Sequence, residues 1–354
     1  MTRAWVEIDL GALRRNGEVM AARGAALLPM VKADAYGLGA TPVARTLEHL
    51  QPWGYGVATV AEGAALRDAG IERPVVVFTP VYGDELGALC AARLTPALFR
   101  ADDVARWRSL GGGAWHLAID TGMSRAGARW DDLERLRAAA SVSGPEGAFT
   151  HFHSASLDDG SIELQERRFV AAVAALPQRP KLLHAENSAA LARRERSQWD
   201  LARPGIFLYG VGSGDRALVR PEPVVRLRAR VADVRTLNAG DTVSYDATFR
   251  ASGERRVATL AIGYADGYCR ALSNRGVVLL RGRRVPVAGV VTMDMTMIDV
   301  TGVPCEIGDV ATLIGRDGEE ELDVEAVARL AGMSPYELLT GLRGRLEHVY
   351  REGA

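Results

Sequence analysis

Through the first 206 residues, short β-type runs alternate with amphipathic helical windows, and this alternation constrains the fold more than any other feature of the chain. Strands are predicted at 26–32, 55–59, 74–78, 95–98, 115–120, 147–152, 181–184 and 200–206. Helices are predicted at 10–22, 41–50, 60–69, 84–92, 101–109, 130–141, 160–175 and 187–194, with Asp102 and Asp131 at or just inside helix starts, where carboxylates favour free backbone N–H groups. Eight strands separated by helices imply a parallel sheet and a (β/α)8 barrel of the TIM type, although six to nine units would satisfy the same pattern. Past Pro221 and Pro223 the rhythm changes: "VVRLRARVADVRTL", "RRVATLAIG", "GVVLLRGRRVPVAGVV" and "MTMIDV" read as closely spaced strands with Gly, Asn and Asp turns. A mostly β second domain is expected there, ending in a helical piece at 323–340 and a last short strand.

Charge excludes some partners. The 43 basic and 44 acidic residues of the 354 leave a net charge of -1 with no block of one sign, so nucleic acid and anionic membrane surfaces are poor partners. Cys90, Cys269 and Cys305 lie far apart without a CxxC spacing, which suggests neither a zinc ribbon nor a disulfide framework and fits a reducing cytoplasm. "MTRAWVEIDL" has no signal-peptide core, and no apolar run is long enough to span a bilayer, so a soluble, unexported protein is expected.

In a barrel, the loops after the strands converge on one mouth, so polar residues at strand carboxyl ends are candidates for function. Lys32 ends the first predicted strand; Asp120 and Arg125 follow the fifth; His151 and His153 end the sixth; Asn187 and Ser188 follow the seventh; Arg203, Gly205 and Ile206 close the eighth. A lone lysine at a strand end is ordinarily solvated, but the chain holds only one other, Lys181. A desolvated lysine amine has a lowered pKa and forms a Schiff base with an aldehyde such as pyridoxal 5'-phosphate (PLP). Opposite it, "HAENSAA" offers a hydroxyl at a helix start and "RPGIFLYG" offers glycine-permitted backbone N–H groups, together a phosphate cradle. A rival reading takes His151 and His153, on one face of a strand, with His184 as the start of a metal site in a barrel hydrolase; it leaves Lys32 and the cradle unexplained. His116 reads as a core histidine, and His49 and His348 as structural or exposed.

In the second domain, "IGYADGY" joins an apolar strand to a Tyr, an Asp and a Gly turn, and "VVTMDMTMID" sets Met293 and Asp294 between apolar runs. Alone, each is an ordinary turn or core filling. "YGVGSGD" resembles a nucleotide loop only superficially. Taken in order, "MVKADAYGLG", "IDTGMSRAG", "THF", "ENSAA", "RPGIFLYG", "GYADGY" and "TMDMTMIDV" resemble the bacterial alanine racemases, fold-type III PLP enzymes, nearly end to end. The resemblance implies a PLP-binding barrel over 10–220, a β-domain over 221–354 that also takes the strand at 1–9, and a head-to-tail homodimer whose active sites draw on both chains. It implies further that Lys32 is the Schiff-base lysine and one of two catalytic bases, and that Tyr264 is the second, reaching across from the partner. Arg203 matches the arginine at the pyridine nitrogen, and His151 the histidine behind it. Tyr36, Ser188, Gly205, Ile206 and Tyr336 match the phosphate-binding set. Arg125 and the Met293 backbone match the groups that receive the substrate carboxylate, and Asp294 the neighbouring structural acid.

Racemisation removes the Cα proton on one face and returns one on the other, so two acid–base groups must flank a planar carbon; Lys32 and Tyr264 are of suitable type, the latter needing a lowered pKa from a neighbour such as His151. An arginine at the ring nitrogen keeps its proton, which makes the ring a weaker electron sink and limits other PLP reactions. The chain departs from the family pattern twice. "HLAID" has Ala118 where the family carries a lysine that becomes carbamylated, and "LRGRLEHVY" keeps Arg345 but loses the rest of an "RVPR" string. The expected activity is interconversion of L- and D-alanine, supplying peptidoglycan. A broader amino-acid racemase, for example of serine, and a non-catalytic PLP carrier that would need Lys32 but not Tyr264 are the alternatives.

Overall fold

The computed structural model describes residues 2–352. Its first half holds β2 to β10, after an initial strand β1 (Ala4–Asp9) and helix α1 (Leu10–Ala21). These are β2 (Ala26–Leu27), β3 (Tyr55–Val57), β4 (Val75–Val77), β5 (Thr95–Leu98), β6 (His116–Asp120), β7 (Ala128–Arg129), β8 (Gly147–Phe149), β9 (Leu182–His184) and β10 (Leu201–Ala202). Between them run α2 (Lys32–Gly37), α3 (Ala40–Leu47), α4 (Val60–Asp68), α5 (Glu85–Ala91), α6 (Ala101–Ser109), α7 (Glu134–Val142), α8 (Ser161–Ala174) and α9 (Ser188–Ala192).

Strands β3, β4, β5, β6, β8 and β9 form one parallel sheet in that order, with β7 beside β6; β10 pairs with β2. Single bridges complete the curl: Met30 opposite Gly56 joins the end of β2 to β3, and Asn187 opposite Arg203 joins β9 to β10. The result is a curled parallel sheet of TIM type. Its strands are mostly apolar, as in "VVV" of β4, because both faces are covered.

The first predicted strand stops early. Regular pairing of β2 ends at Leu27: the Leu28 and Met30 amides still donate to the Ala202 and Pro204 carbonyls, but Pro29 has no N–H to offer the neighbouring strand, and Lys32 does not close a strand but opens a turn. The eighth strand, expected to 206, likewise ends at Ala202, two residues before Pro204. The helix expected from 130 begins only at Glu134; Asp131 instead pairs with Arg129 in the preceding turn.

The second half is built of β11 (Val225–Leu237), β12 (Thr242–Val243), β13 (Phe249–Arg250), β14 (Arg255–Leu260), β15 (Val277–Leu280), β16 (Arg283–Pro286), β17 (Thr296–Asp299), β18 (Val310–Asp317), β19 (Glu320–Leu322), α10 (Val324–Ala331), α11 (Pro335–Gly341) and β20 (Glu347–Arg351). Its main sheet runs β16-β15-β18-β11-β1-β20, so the first strand of the chain lies between two of the last half. Alternate residues of β1 (Ala4, Val6, Ile8) are buried, the two-residue period of a strand with one face on a core. Ser334 and Glu337 form a capping box that starts α11, with Pro335 at its first turn. That helix packs on α2 at the barrel mouth: a Cβ on Gly37 would stand 2.6 Å from the carbonyl oxygen of Leu339.

Candidate active site

The barrel mouth opens on a cavity of about 420 Å³ lined by Lys32, Arg125, His151, Asp120 and a ring of apolar side chains including Phe78, Phe99 and Phe149. Lys32 stands at the head of four consecutive residues in the left-handed region, Ala33 to Tyr36, with φ between 52° and 58°. Each costs about 1–2 kcal/mol for an L-residue, so neighbours must hold the turn. Glu62 does much of this. Its Oε1 accepts from the Ala33 amide at 2.8 Å, and its Oε2 from the Ala58 amide at 2.7 Å, while it also closes the Thr59 capping box of α4. Asp34 closes the turn's far end, its Oδ1 accepting from the Ala40 amide at 2.7 Å. Burial, then the Arg125 charge, lowers the Lys32 pKa, with Glu62 opposing, which shifts the amine toward its neutral, nucleophilic form.

Beneath the cavity Arg203 is fully enclosed. Its Nη2 donates to the carbonyls of Thr150 at 2.7 Å and Ala185 at 3.1 Å and faces His151 Nδ1 at a long 3.5 Å. Its Nη1 donates to His184 Nδ1 at 2.9 Å. With Nδ1 accepting, His184 carries its proton on Nε2, which donates to His116 Nδ1 at 2.9 Å. The polar chain ends 3.7 Å further on at the Glu146 carboxylate, beyond hydrogen-bond reach. Burial lowers the Arg203 pKa to about 9, with Glu186 opposing, which leaves the guanidinium charged at neutral pH. Burial first, then the charges of Arg203, Arg125 and Lys32, push His151 down to about 3, so its imidazole is neutral. Both ring nitrogens of His184 are engaged, and His153 turns its Nδ1 to Ser154 Oγ at 2.7 Å; the three histidines of the metal reading do not gather. Among the described residues no cluster of His, Cys, Asp and Glu is suited to a metal ion.

A second group adjoins the mouth. Ser188 Oγ accepts from the Gly205 amide at 2.8 Å, and the Tyr36 hydroxyl lies where a Cβ on residue 205 would be, 2.4 Å away, so only glycine admits it. The Tyr36 ring lies 4.7 Å from that of Tyr209, whose hydroxyl donates to the Met30 carbonyl at 2.7 Å, and 6.0 Å from that of Tyr336 on α11. The Tyr36 hydroxyl thus faces the Ser188–Gly205–Ile206 turn, where the first amides of a helical turn lack intrahelical acceptors, and the Tyr336 ring lies beyond that of Tyr36. Hydroxyls and backbone amides with no carboxylate among them fit a phosphate, and the largely apolar cavity at Lys32 fits a flat ring carrying an aldehyde. Tyr264 and Met293 are elsewhere. They protrude from the β-domain, 42% and 52% exposed, and neither lines the cavity of its own chain.

Sequence reasoning passed over Glu62, although Thr59 and Glu62 spell a capping box, and over Asp266, which is buried and closes the Tyr264 turn by accepting from the Gly263 amide at 3.0 Å. Nothing in the sequence signals Tyr209 or the His184–His116 pair.

Barrel, lysine and phosphate cradle together define an enzyme that holds a phosphorylated aldehyde cofactor against an amine. Comparison with known proteins narrows this. The family models for the alanine racemase N-terminal and C-terminal domains match residues 8–213 and 224–350. The alanine racemase of Geobacter sulfurreducens is 40% identical over 366 residues, 97% of this chain and 96% of that one. The crystal structure of alanine racemase from E. faecalis superposes with a TM-score of 0.93 at 30% identity, covering 99% of this chain and 98% of the other. That of Bartonella henselae, which carries covalently bound pyridoxal phosphate, gives 0.92 at 27% identity over 99% and 100%. The chain belongs to the alanine racemase family.

Proposed function

We propose that the protein is a PLP-dependent racemase interconverting L- and D-alanine with two bases, Lys32 of one subunit and Tyr264 of the partner subunit. The observation that carries this reading is the separation just described: the cavity holds Lys32, Arg125 and His151 but no tyrosine, while Tyr264 and Met293 stand together and exposed on the β-domain. A head-to-tail homodimer brings them into the partner's mouth.

When bound, the cofactor draws electron density from the amino acid's α-carbon and so acidifies its proton. Lys32 would hold it at the aldehyde end, and the Ser188–Gly205–Ile206 turn, Tyr36 and Tyr336 at the phosphate end. Arg203, whose Nη1 and Nη2 already donate to His184 and to backbone carbonyls, would face the ring nitrogen through its Nε–H and keep its proton. Tyr264 removes the α-proton of L-alanine on one face and Lys32 returns a proton on the other; in the reverse direction the roles exchange. His151, neutral and with Nδ1 turned to Arg203, has Nε2 free to donate to the Tyr264 oxygen and stabilise its anionic form. Arg125 and the Met293 amide receive the substrate carboxylate, with Asp294 beside them. The named relatives support the alanine reading rather than the broader, serine-type one. We place the enzyme in the cytoplasm, supplying D-alanine for peptidoglycan: its cysteines are unpaired, and among the described residues no helix is long and apolar enough to cross a membrane.

Complementation tests the shared site. Lys32→Ala and Tyr264→Phe chains are each expected to be inactive. Mixed, they form heterodimers with one intact composite site, and random pairing restores up to about a quarter of wild-type activity. No recovery from confirmed heterodimers would contradict a composite site.

A further inference from the structure

We infer that Arg345 is a positioning residue that locks the Tyr264 and Met293 turns into one rigid unit and so aims the base at the substrate. The inference rests on the reading of Tyr264 as a base.

The two turns lie back to back. The Tyr264 amide donates to the Thr292 carbonyl and the Ala265 amide to the Met293 carbonyl, each at 3.0 Å. Gly263 is pressed so closely on this pair that an added Cβ would sit 2.3 Å from the Thr292 oxygen. Two hydrogen bonds between exposed turns leave a hinge, and a third connection fixes it. Arg345 Nε donates to Asp266 Oδ1 at 2.9 Å and Nη2 to Asp266 Oδ2 at 3.1 Å, a two-pronged grip on the acid that closes the Tyr264 turn. Its remaining arm, Nη1, donates to Asp294 Oδ1 at 2.7 Å, next to Met293. One planar guanidinium therefore bridges the carboxylates of both turns. Without it Asp266 and Asp294 would be neighbouring like charges pushing the turns apart.

The clamp is anchored. Gly344, with φ of 81°, turns the chain so that Arg345 lies two residues before the start of β20, whose Glu347 pairs with Trp5 of β1 in the main sheet. The rigid sheet thereby adds to the packing of Gly267 on the backbone of Gly341 in setting the position of the two turns, whose tips, Tyr264 and Met293, are exposed. Lysine cannot replace this function: an ammonium is a point charge, without the fork that meets two carboxylates in fixed directions. A misplacement of about 1 Å in a reacting group costs on the order of 100-fold in rate.

The test compares Arg345→Lys and the milder Asp294→Asn with Tyr264→Phe in loaded dimers. Exchange of the α-proton with heavy water is followed by NMR, separately for L- and D-alanine. Lys32 exchanges D-alanine without help from the other face, so a displaced Tyr264 slows L-alanine exchange selectively. Arg345→Lys is expected to slow L-alanine exchange about 100-fold and D-alanine exchange less than about threefold, with Asp294→Asn showing the same asymmetry more weakly. Hydrogen–deuterium exchange of the apoprotein should show the 263–267 amides opening faster in both variants. Equal slowing for both enantiomers, or none, overturns the clamp. Tyr264→Phe separates the two ideas: if it leaves L-alanine exchange intact, the base assignment fails and the clamp with it; if it abolishes that exchange while Arg345→Lys does not, the clamp alone fails.

Discussion

At position 118 the side chain stops at Cβ, and its surroundings say what this does to the mouth. β6 turns His116 and Ala118 into the barrel, and Ala118 packs with Ala97 and Phe149 against Phe78 and Phe99. The family resemblance places a carbamylated lysine here; this chain has an apolar wall. Asp120, the next inward acid on the strand, uses its Oδ1 to accept from the amides of Gly122 at 2.9 Å and Ser124 at 3.1 Å. Arg125 is exposed, and its charge is felt at Lys32, where it helps to lower the amine's pKa. If Arg125 receives the substrate carboxylate as proposed, the carboxylate orders it on arrival, which costs about 0.5–1.5 kcal/mol for a side chain of this length. Activity is expected to be the same in degassed and bicarbonate-supplemented buffer at fixed pH and ionic strength. A bicarbonate requirement would mean that another amine, with Lys181 the only candidate besides Lys32, carries a carbamate.

At the scale of the element, the α2 turn behind Lys32 is the segment on which the mouth depends and the one local pattern described worst. Gly37 follows the four left-handed residues with φ of 88° and meets the backbone of α11. Gly37→Ala therefore adds a collision with a carbonyl oxygen to the left-handed penalty. It is expected to lower stability by about 1–3 kcal/mol and to weaken PLP binding. Gly111→Ala, with φ of 71° and nothing within 4 Å, carries the backbone penalty alone. Urea midpoints of the two variants and PLP titrations check this, and equal loss at both sites would mean that α11 does not press on the turn. The strands and most helices were legible because apolar runs and amphipathic windows report burial, which is local. The left-handed turn was not, since "KADAY" has no glycine at its four strained positions; contacts from Glu62, Tyr209 and α11 impose that conformation. The candidate site was legible as a set of strand-end residues, but the distance between Tyr264 and the cavity of its own chain is a property of the tertiary structure.

Over the whole molecule, the buried histidines set how stability responds to acid. His116, His151 and His184 all have lowered pKa values, chiefly through burial; Arg203 adds to the effect at each, and the Glu146 carboxylate opposes it at His116. His184 is also flanked by His116, and His151 by Arg125 and Lys32. In the unfolded chain each has a pKa of about 6.5. Below that value the unfolded chain takes up protons that the folded one refuses, so stability is fully present above about pH 6.5 and is lost as pH falls toward the folded values, about 3 for His151. Each such proton contributes a slope of about 1.4 kcal/mol per pH unit, approaching about 4 for three. Glu186 works in the opposite sense. Burial raises its pKa, so the folded state holds a proton that the unfolded chain releases above its ordinary carboxyl range, and it offsets up to one of the three. Urea unfolding of the apoprotein at fixed chain concentration, so that assembly does not contribute, is expected to show stability falling steeply from pH 7 to pH 5. His116→Gln should flatten that slope by about one proton, because it removes one group that refuses to charge inside the barrel. A stability that stayed level across this range would mean that the Arg203–His184–His116 chain accepts a proton in the folded state, and the tautomers assigned to it would be wrong.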